Sequence, residues 1–540
     1  MKDTEKNRNG RWNSAGSEDK NIDIPSFMNG GTPDPGWNPY QSPQEEEPEE
    51  VIQKEKKHIP QKVRNKGYVR IAYLFSLIFL TLAGYLAYFN VKLIDEIRQN
   101  PNNTKGDAQV QYVTRGTIYS ADGEALAGTN VDELGDETRV YPYGNMFAHI
   151  VGYSTNGKSG LEAIYNNELM TSNSSIQEMI GSEVSNQKLR GDSLILTVDT
   201  RLQRVAYRSL GAYNGAVVVM EAKTGKILAM VSKPDFDPNY IESNWEMLNS
   251  DDSGSPLLNR ATQGLYPPGS TFKILTVLEY IRENPLTYGN YEYNCEGVTY
   301  KDDVKLKCYD YEVHGYEDLK GSFQHSCNTS FANIGLSLDI AKFRDFCESM
   351  MFNGKLPTVL PYSESQFRLQ SGSSDGDIMT TSIGQGDTLV SPFHMALITA
   401  AIANNGNLMY PYVVDKIENS EGILVKQTKP ILYQQLISAE EAGILQDFMV
   451  SVVEGGTASA LSGRNYTAAG KTGSAEYEVG GLTGDEANFS THSWFVGYSN
   501  VEDPDIVVSV IAENGGTGSF AAVPIARDIF DYYYDYIHIG

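Results

Sequence analysis

The sequence predicts an α/β protein of the α+β kind. One large domain carries an antiparallel sheet with helices segregated around it, and a single membrane-spanning helix tethers it. Three observations predict this. Ile71 to Val91 is a charge-free apolar run of 21 residues. Apolar, β-rich runs stand in pairs near both ends of the region after residue 206. Segments of helical periodicity fill the interval, and strands at both ends with helices between favour this layering.

Residues 1–66 come first. They are rich in Asn, Gly, Pro and charge, and Glu45 to Glu50 is an acidic run broken only by Pro48. Such a composition buries too little surface to offset the entropy of ordering, so it predicts a disordered tail. Residues 67–92 follow as a transmembrane signal anchor. As a helix its apolar run spans about 31 Å at 1.5 Å per residue, close to the thickness of bilayer hydrocarbon. Lys54, Lys56, Lys57, Lys62, Arg64, Lys66 and Arg70 precede it against Glu55, whereas Lys92, Asp95, Glu96 and Arg98 beyond it nearly cancel. The basic side stays inside, which puts the tail in the cytoplasm and everything after Lys92 outside the cell membrane.

Residues 93–205 mix turn residues with short strand-like pieces, such as Gly116 to Gly123 and Gly191 to Asp199. They predict a small α+β module without chemistry of its own. Residues 206–540 form the large domain. Ala216–Glu221 and Lys226–Ser232 read as a hairpin turning at Lys223-Thr224-Gly225, Trp494–Tyr498 and Ile506–Ala512 as a second strand pair, and Ala521 to Ile537 as a helix.

Net charge and cysteine usage exclude several functions. The chain has 540 residues and a formal charge of −26, a field that repels phosphate backbones, so nucleic acid is not expected as a partner. Its four cysteines, Cys295, Cys308, Cys327 and Cys347, include no CxxC pair, which speaks against a zinc ribbon. No His precedes a Glu, which removes the HExxH metalloproteases. Neither metal nor cofactor is expected.

Three segments carry chemistry. Tyr266 to Ile281 (YPPGSTFKILTVLEYI) starts a helix, and Phe272, Leu275, Leu278 and Ile281 recur at helical spacing. Ser270 and Lys273 then share one side of its first turn. A hydroxyl needs a base in contact, and a Lys in a dry site has its charged form disfavoured and can serve. Ser17–Lys20 and Ser185–Lys188 repeat the S-x-x-K spacing without an apolar helix. The second segment, His325-Ser326-Cys327-Asn328, read alone is a helix cap. The third is Thr467 to Glu476, with Lys471-Thr472-Gly473-Ser474 among small residues that let a ligand lie close beside a strand. The other Lys-Thr-Gly, at 223–225, reads as a turn.

In order, S-x-x-K, S-x-N 56 positions on and K-T-G another 145 on match the signature of penicillin-recognising acyltransferases. The chain resembles the class B penicillin-binding proteins, membrane-anchored peptidoglycan D,D-transpeptidases, over about residues 110–540. Arg115-Gly116-Thr117-Ile118, Gly160-Leu161-Glu162, Asn259-Arg260-Ala261, Gly384-Gln385-Gly386, His492 to Tyr498 and Glu513 to Gly516 also match. The resemblance implies the serine transpeptidase fold, with a five-stranded antiparallel sheet and a pedestal or dimerisation-like module at 93–205. It implies that Ser270 attacks the penultimate D-Ala carbonyl of a stem peptide, that Lys273 takes its proton and that Ser326 relays protons. Asn328 would hold the donor amide, Lys471 would supply positive potential and Thr472 would bind the substrate carboxylate beside Gly473. The N–H groups of Ser270 and Ser474 would form the oxyanion hole. β-Lactams would acylate Ser270, and a polymerase of the SEDS family would be the membrane partner. The middle motif reads Ser-Cys-Asn where some relatives have Ser-Asp-Asn, which leaves both functional positions in place. Cys295 and Cys308 admit either a disulfide or free thiols.

Other readings are weaker. About 110 residues between the membrane and the large domain are too few for a glycosyltransferase domain. No deacylating base of a β-lactamase can be assigned. A D,D-carboxypeptidase would differ only in using water, and intact motifs argue against a purely non-catalytic scaffold. Gly372-Ser373-Ser374-Asp375-Gly376 fits G-x-S-x-G but lacks the strand–turn–helix setting of a hydrolase elbow.

Overall fold

The computed structural model describes residues 61–89, 110–251, 254–301, 304–479 and 488–538. The tail expected over 1–66 falls largely on residues 1–60, outside the described residues. Gln61–Tyr88 is one helix, long and apolar enough to cross a membrane. It starts ahead of Gly67 because Gln61, Lys62 and Arg64 are good helix formers. Leu74, Phe75, Leu77 and Leu80 are all exposed on it.

The large domain is organised by five strands: β1 (Gly215–Glu221), β2 (Ile227–Lys233), β3 (Ala468–Val479), β4 (Asn488–Ser499) and β5 (Ile506–Ala512). Their order is β3-β4-β5-β1-β2 and every pairing is antiparallel. All of β5 is buried, as a strand covered on both faces must be, and its sequence IVVSVIA is accordingly apolar almost throughout. Helices α1 (Thr200–Leu210) and α6 (Ala522–Tyr532) pack together over one face. The other face holds α2 (Lys273–Glu283), α3 (Asn328–Ser337), α4 (Pro392–Ala403) and α5 (Ala439–Gly455). Every residue of α4 is buried, so it is the centre of the core rather than an amphipathic cover. The β1–β2 turn is the predicted Lys223-Thr224-Gly225, and Gly225 sits at φ +82°.

A second sheet departs from the predicted partition at residue 205. Its six strands run Leu424–Gln427, Val414–Glu418, Ser193–Leu196, Ile118–Tyr119, Ala125–Val131 and Glu137–Val140, so two of them come from the large domain. Val414–Glu418 pairs antiparallel with Ser193–Leu196, which pairs in parallel with Ile118–Tyr119, and Leu194, Leu196 and Ile118 are fully buried. Within the module, the Arg115 and Glu162 segments meet. Arg115 Nε donates to Glu162 Oε2 at 2.5 Å and Arg139 Nε to Oε1 at 2.7 Å. Burial opposes the charge on Glu162, but the two guanidinium groups outweigh it and hold the carboxyl below the usual range.

Candidate active site

The Ser270 wall is fixed by close backbone approach. Gly269 has φ +53°, and a Cβ there would lie 2.7 Å from Ser474 O. A Cβ on Gly473 would come 2.9 Å from Pro268 O. Glycine at both positions therefore lets the Pro267–Phe272 turn lie directly against β3. Gly269 N–H donates to Gly384 O at 2.8 Å, and Trp494 Nε1 donates to Pro267 O at 3.0 Å. Beneath, Glu513 Oε1 accepts from Tyr266 Oη at 2.7 Å and from buried Arg260 Nε at 2.8 Å. Ser270 itself lies in a 3₁₀ turn, Gly269–Phe272, and the α-helix proper begins at Lys273, one turn later than the spacing suggested. The tighter turn still leaves Ser270 and Lys273 one turn apart on the same side.

The opposite wall is the loop before α3. Ser326 holds a left-handed backbone, φ +57°, which a serine keeps only where its surroundings impose it. Ser326 N–H donates to Phe323 O and Cys327 N–H to Ser322 O, and Cys327 Sγ caps α3 by accepting from Ser330 N–H. Asn328 Nδ2 donates to Lys307 O at 2.9 Å.

Lys273 joins the walls. It is fully buried, and its Nζ donates to Ser326 O and to Asn328 Oδ1, each at 2.7 Å, with Ser326 Oγ at 3.2 Å. The two short bonds use both N–H groups of a neutral amine and leave its lone pair unengaged by them. Burial brings its pKa down to about 8. Lys471 is also fully buried, and its Nζ donates to Ser326 Oγ at 2.9 Å. Burial first, and the Lys273 charge second, hold its pKa well below the ordinary value. Thr472 Oγ1 lies 2.5 Å from Thr457 Oγ1, and Ser474 Oγ accepts from Gly518 N–H at 3.3 Å. β3 is an edge strand of its sheet, so Lys471 to Ser474 lie where an extended ligand can run alongside.

The structure thus brings the Ser270–Lys273, Ser326–Asn328 and Lys471–Ser474 segments together, through Lys273, Lys471 and the Gly269–Ser474 approach. Thr457 and Gly518 were missed, since a lone threonine or glycine carries no periodic signal. Ser374 of the rejected G-x-S-x-G is a helix cap, accepting from Asp377 N–H at 3.1 Å. Ser185 ends a surface helix and donates back to Gly181 O at 2.8 Å, so its S-x-x-K holds no site. Cys295 and Cys308 are free thiols with sulfurs 3.7 Å apart, not a disulfide.

The model of the penicillin-binding protein transpeptidase domain matches residues 215–531, and that of the penicillin-binding protein A dimerisation domain matches residues 115–194. The chain belongs to the penicillin-binding protein transpeptidase family. Among relatives of this penicillin-binding protein is the peptidoglycan D,D-transpeptidase PbpA of Mycolicibacterium smegmatis, 28% identical over 491 residues that cover 86% of this chain and 98% of the relative. The peptidoglycan D,D-transpeptidase MrdA of Haemophilus influenzae is 29% identical, over 73% of this chain and 69% of the relative. Among solved structures, the D,D-transpeptidase domain of a peptidoglycan glycosyltransferase from Eggerthella lenta superposes with TM-score 0.70 at 29% identity, covering 79% of this chain and 99% of that one. The penicillin G acyl-enzyme of penicillin-binding protein A from M. tuberculosis gives 0.69 at 26% identity, covering 78% and 99%.

Proposed function

We propose that this protein is a serine D,D-transpeptidase that cross-links peptidoglycan stem peptides, with Ser270 as the acylated nucleophile. The observation that carries the reading is the buried Lys273 amine, held by Ser326 O and Asn328 Oδ1 one turn from Ser270. In the first half-reaction the Ser270 hydroxyl attacks the penultimate D-Ala carbonyl and its proton passes to the Lys273 lone pair. The N–H groups of Ser270 and Ser474 receive the developing oxyanion, each contributing roughly 3 kcal/mol. Ser326, in contact with both lysines, passes a proton to the departing D-Ala nitrogen. The substrate carboxylate binds at Thr472 and Lys471. Its charge favours the ammonium form of Lys471, which in turn disfavours protonation of Lys273. In the second half-reaction the same relay takes a proton from the acceptor amine as it attacks the acyl-enzyme. A β-lactam presents a carboxylate and a strained amide to the same groups and leaves Ser270 acylated.

The 67–92 anchor, a cytoplasmic tail and an extracytoplasmic catalytic domain complete the reading, with the 93–205 module and the anchor meeting a SEDS-family polymerase. The charge imbalance around the apolar run supports the orientation. The deciding experiment gives the ectodomain a thioester stem-peptide donor and a D-amino acid acceptor and resolves products by mass. Transfer product should dominate and rise with acceptor. Hydrolysed acid alone at every acceptor concentration, with the polymerase present, would make the protein a carboxypeptidase.

A further inference from the structure

The helix Ile176–Ser185 of the small module has its polarity reversed. Ile176, Met179, Ile180 and Val184 recur at helical spacing and are 76, 49, 59 and 83% exposed, and none of its ten residues is buried. At about 100° per residue, Ile176, Ile180 and Val184 centre opposite Glu178 and Ser182, the two half-buried positions of the helix. The helix therefore turns its polar side to the protein and its apolar side away. We propose that this apolar side lies in the lipid surface on the outer side of the membrane, a contact that depends on the anchored, extracytoplasmic reading given above.

Polar bonds at one end and a strand at the other fix this orientation. Ser175 Oγ caps the helix by accepting from Glu178 N–H, and it donates to Glu421 Oε1 at 2.9 Å. Glu178 Oε2 accepts from Ser420 Oγ at 2.6 Å, and Asn419 Nδ2 donates to Asn173 O at 3.1 Å. At the far end Asn186 closes the helix in the left-handed conformation, and Leu189–Arg190 then pairs in parallel with Val113–Thr114. A helix of ten residues is marginal in water by itself and takes its stability from a covered apolar face. The helix Thr200–Leu210 has such a face, with Leu202, Ala206 and Leu210 buried. Ile176–Ser185 has none within the described residues, so its cover comes from outside the fold.

Its place in the chain points to lipid. The apolar run that spans the membrane ends at Val91, and the described fold resumes at Val110 after 18 intervening residues, no more than about 65 Å of fully extended chain. Val110 and Tyr112 are exposed where the chain re-enters. Tyr112 O accepts from Leu189 N–H at 3.1 Å, so the re-entry point lies just beyond the end of the helix. Tyrosine beside aliphatic residues is the composition of a membrane interface. Glu178 and Glu183 are balanced by Lys188 and Arg190, so the contact needs no anionic lipid. The single convex face of a helix suits a deformable lipid surface, whereas a protein partner would have to offer a groove. Four apolar side chains hold a membrane weakly alone, and the anchor supplies the second attachment that makes the contact persist.

The contact also orients the catalytic domain. Ser193–Leu196 follows the helix and lies in the six-stranded sheet beside Val414–Glu418 of the large domain. A helix held at the lipid surface therefore sets the tilt of the small module and, through the shared sheet, of the domain that carries Ser270.

The test reconstitutes the full chain, without any polymerase, into phosphatidylcholine vesicles. Relative to the parent chain, Ile180→Trp should add emission that is shifted to the blue. Lipids brominated near the top of their acyl chains should quench at least about half of it. Leu286→Trp, on the catalytic domain at a position 94% exposed, should stay unquenched. The double variant Ile176→Gln, Ile180→Gln changes only exposed positions, so the fold stays intact. In it, amide exchange over residues 176–185 should speed up at least about tenfold, while acylation by a fluorescent penicillin holds within about twofold. Added salt or phosphatidylglycerol should leave the quenching unchanged. A chain that washes off the vesicles in alkaline carbonate would overturn the anchored reading together with the lipid contact. A retained chain whose Ile180→Trp emission is unquenched, or is quenched only after a polymerase is added, would overturn the lipid contact alone.

Discussion

The wall that carries Ser270 rests on the five-stranded sheet, whereas the wall that carries Ser326 and Asn328 leans on two short hairpins. The first is rigid because backbones touch: Gly269 and Gly473 leave no space for a side chain between the turn and β3. Buried aromatics back it, with Phe272 packed among Phe343, Phe352 and Phe367. The second has thiols and an imidazole where a core would be, and its serine holds a left-handed backbone. Dense apolar packing and a small cluster of buried thiols are two unequal supports. They differ in reserve, since a cavity weakens the first gradually while the second has few apolar contacts to lose.

The most damaging change should be on the sheet-backed wall. Ser270→Ala removes the nucleophile and should cut covalent labelling by a fluorescent penicillin at least about a thousandfold. Label persisting in that variant, or mapping to Ser326, would reassign the wall. Lys273→Arg comes next, with acylation expected to fall roughly a thousandfold because a guanidinium stays protonated. In the native chain, Lys273 is an ammonium without a lone pair below its lowered pKa and a free amine above it. Acylation should therefore rise with pH through about 8. Lys471, whose pKa is also lowered, faces the same Ser326 Oγ, and a bound substrate carboxylate favours its charged form across this rise. A stopped-flow rate that is flat or falling between pH 6 and 9 would remove Lys273 as base.

The two Lys-Thr-Gly copies give a control within one chain. Lys471→Ala should slow acylation about a hundredfold, whereas Lys223→Ala, in the β1–β2 turn, should leave it within about twofold. Equal effects would mean that the tripeptide acts through folding. Smallest is Gly473→Ala. Its Cβ would press on Pro268 O, with about 1–3 kcal/mol lost from stability and acylation slowed about tenfold. Thermal melts beside labelling rates separate the two, and an unchanged melt would show that this wall has slack.

Much of the first wall was legible in the sequence because its signals are local. Pro267-Pro268-Gly269, the apolar periodicity after it and the β-rich runs of β1 and β5 each state their own structure. Ser326 and Asn328 were legible only through their order relative to Ser270 and Lys471, since alone they read as a cap. The cluster of Cys295, Cys308, His314 and Cys327 was not legible at all. Cys295 and Cys327 are 32 positions apart, and only the folding of the 292–318 hairpins brings them together. The shared six-stranded sheet was hidden for the same reason. Val414–Glu418 carries only Val414 and Ile417 as buried residues, too weak a pattern to reveal a partner more than 200 residues back in the chain.

That shared sheet decides where the protein can be cut. A soluble fragment beginning at residue 206 would remove Ser193–Leu196 and leave Val414–Glu418 as a bare edge, with Ile417 uncovered and ready to recruit a strand from another molecule. It would also strip Thr197, whose hydroxyl donates to Ile227 O at 2.6 Å, from the start of β2. An expression boundary therefore belongs upstream of Val113, where the described residues first enter a strand. Crystallographic or inhibitor-screening fragments that respect it keep the catalytic sheet and its neighbour as one folding unit, and those that do not should be recovered as aggregates.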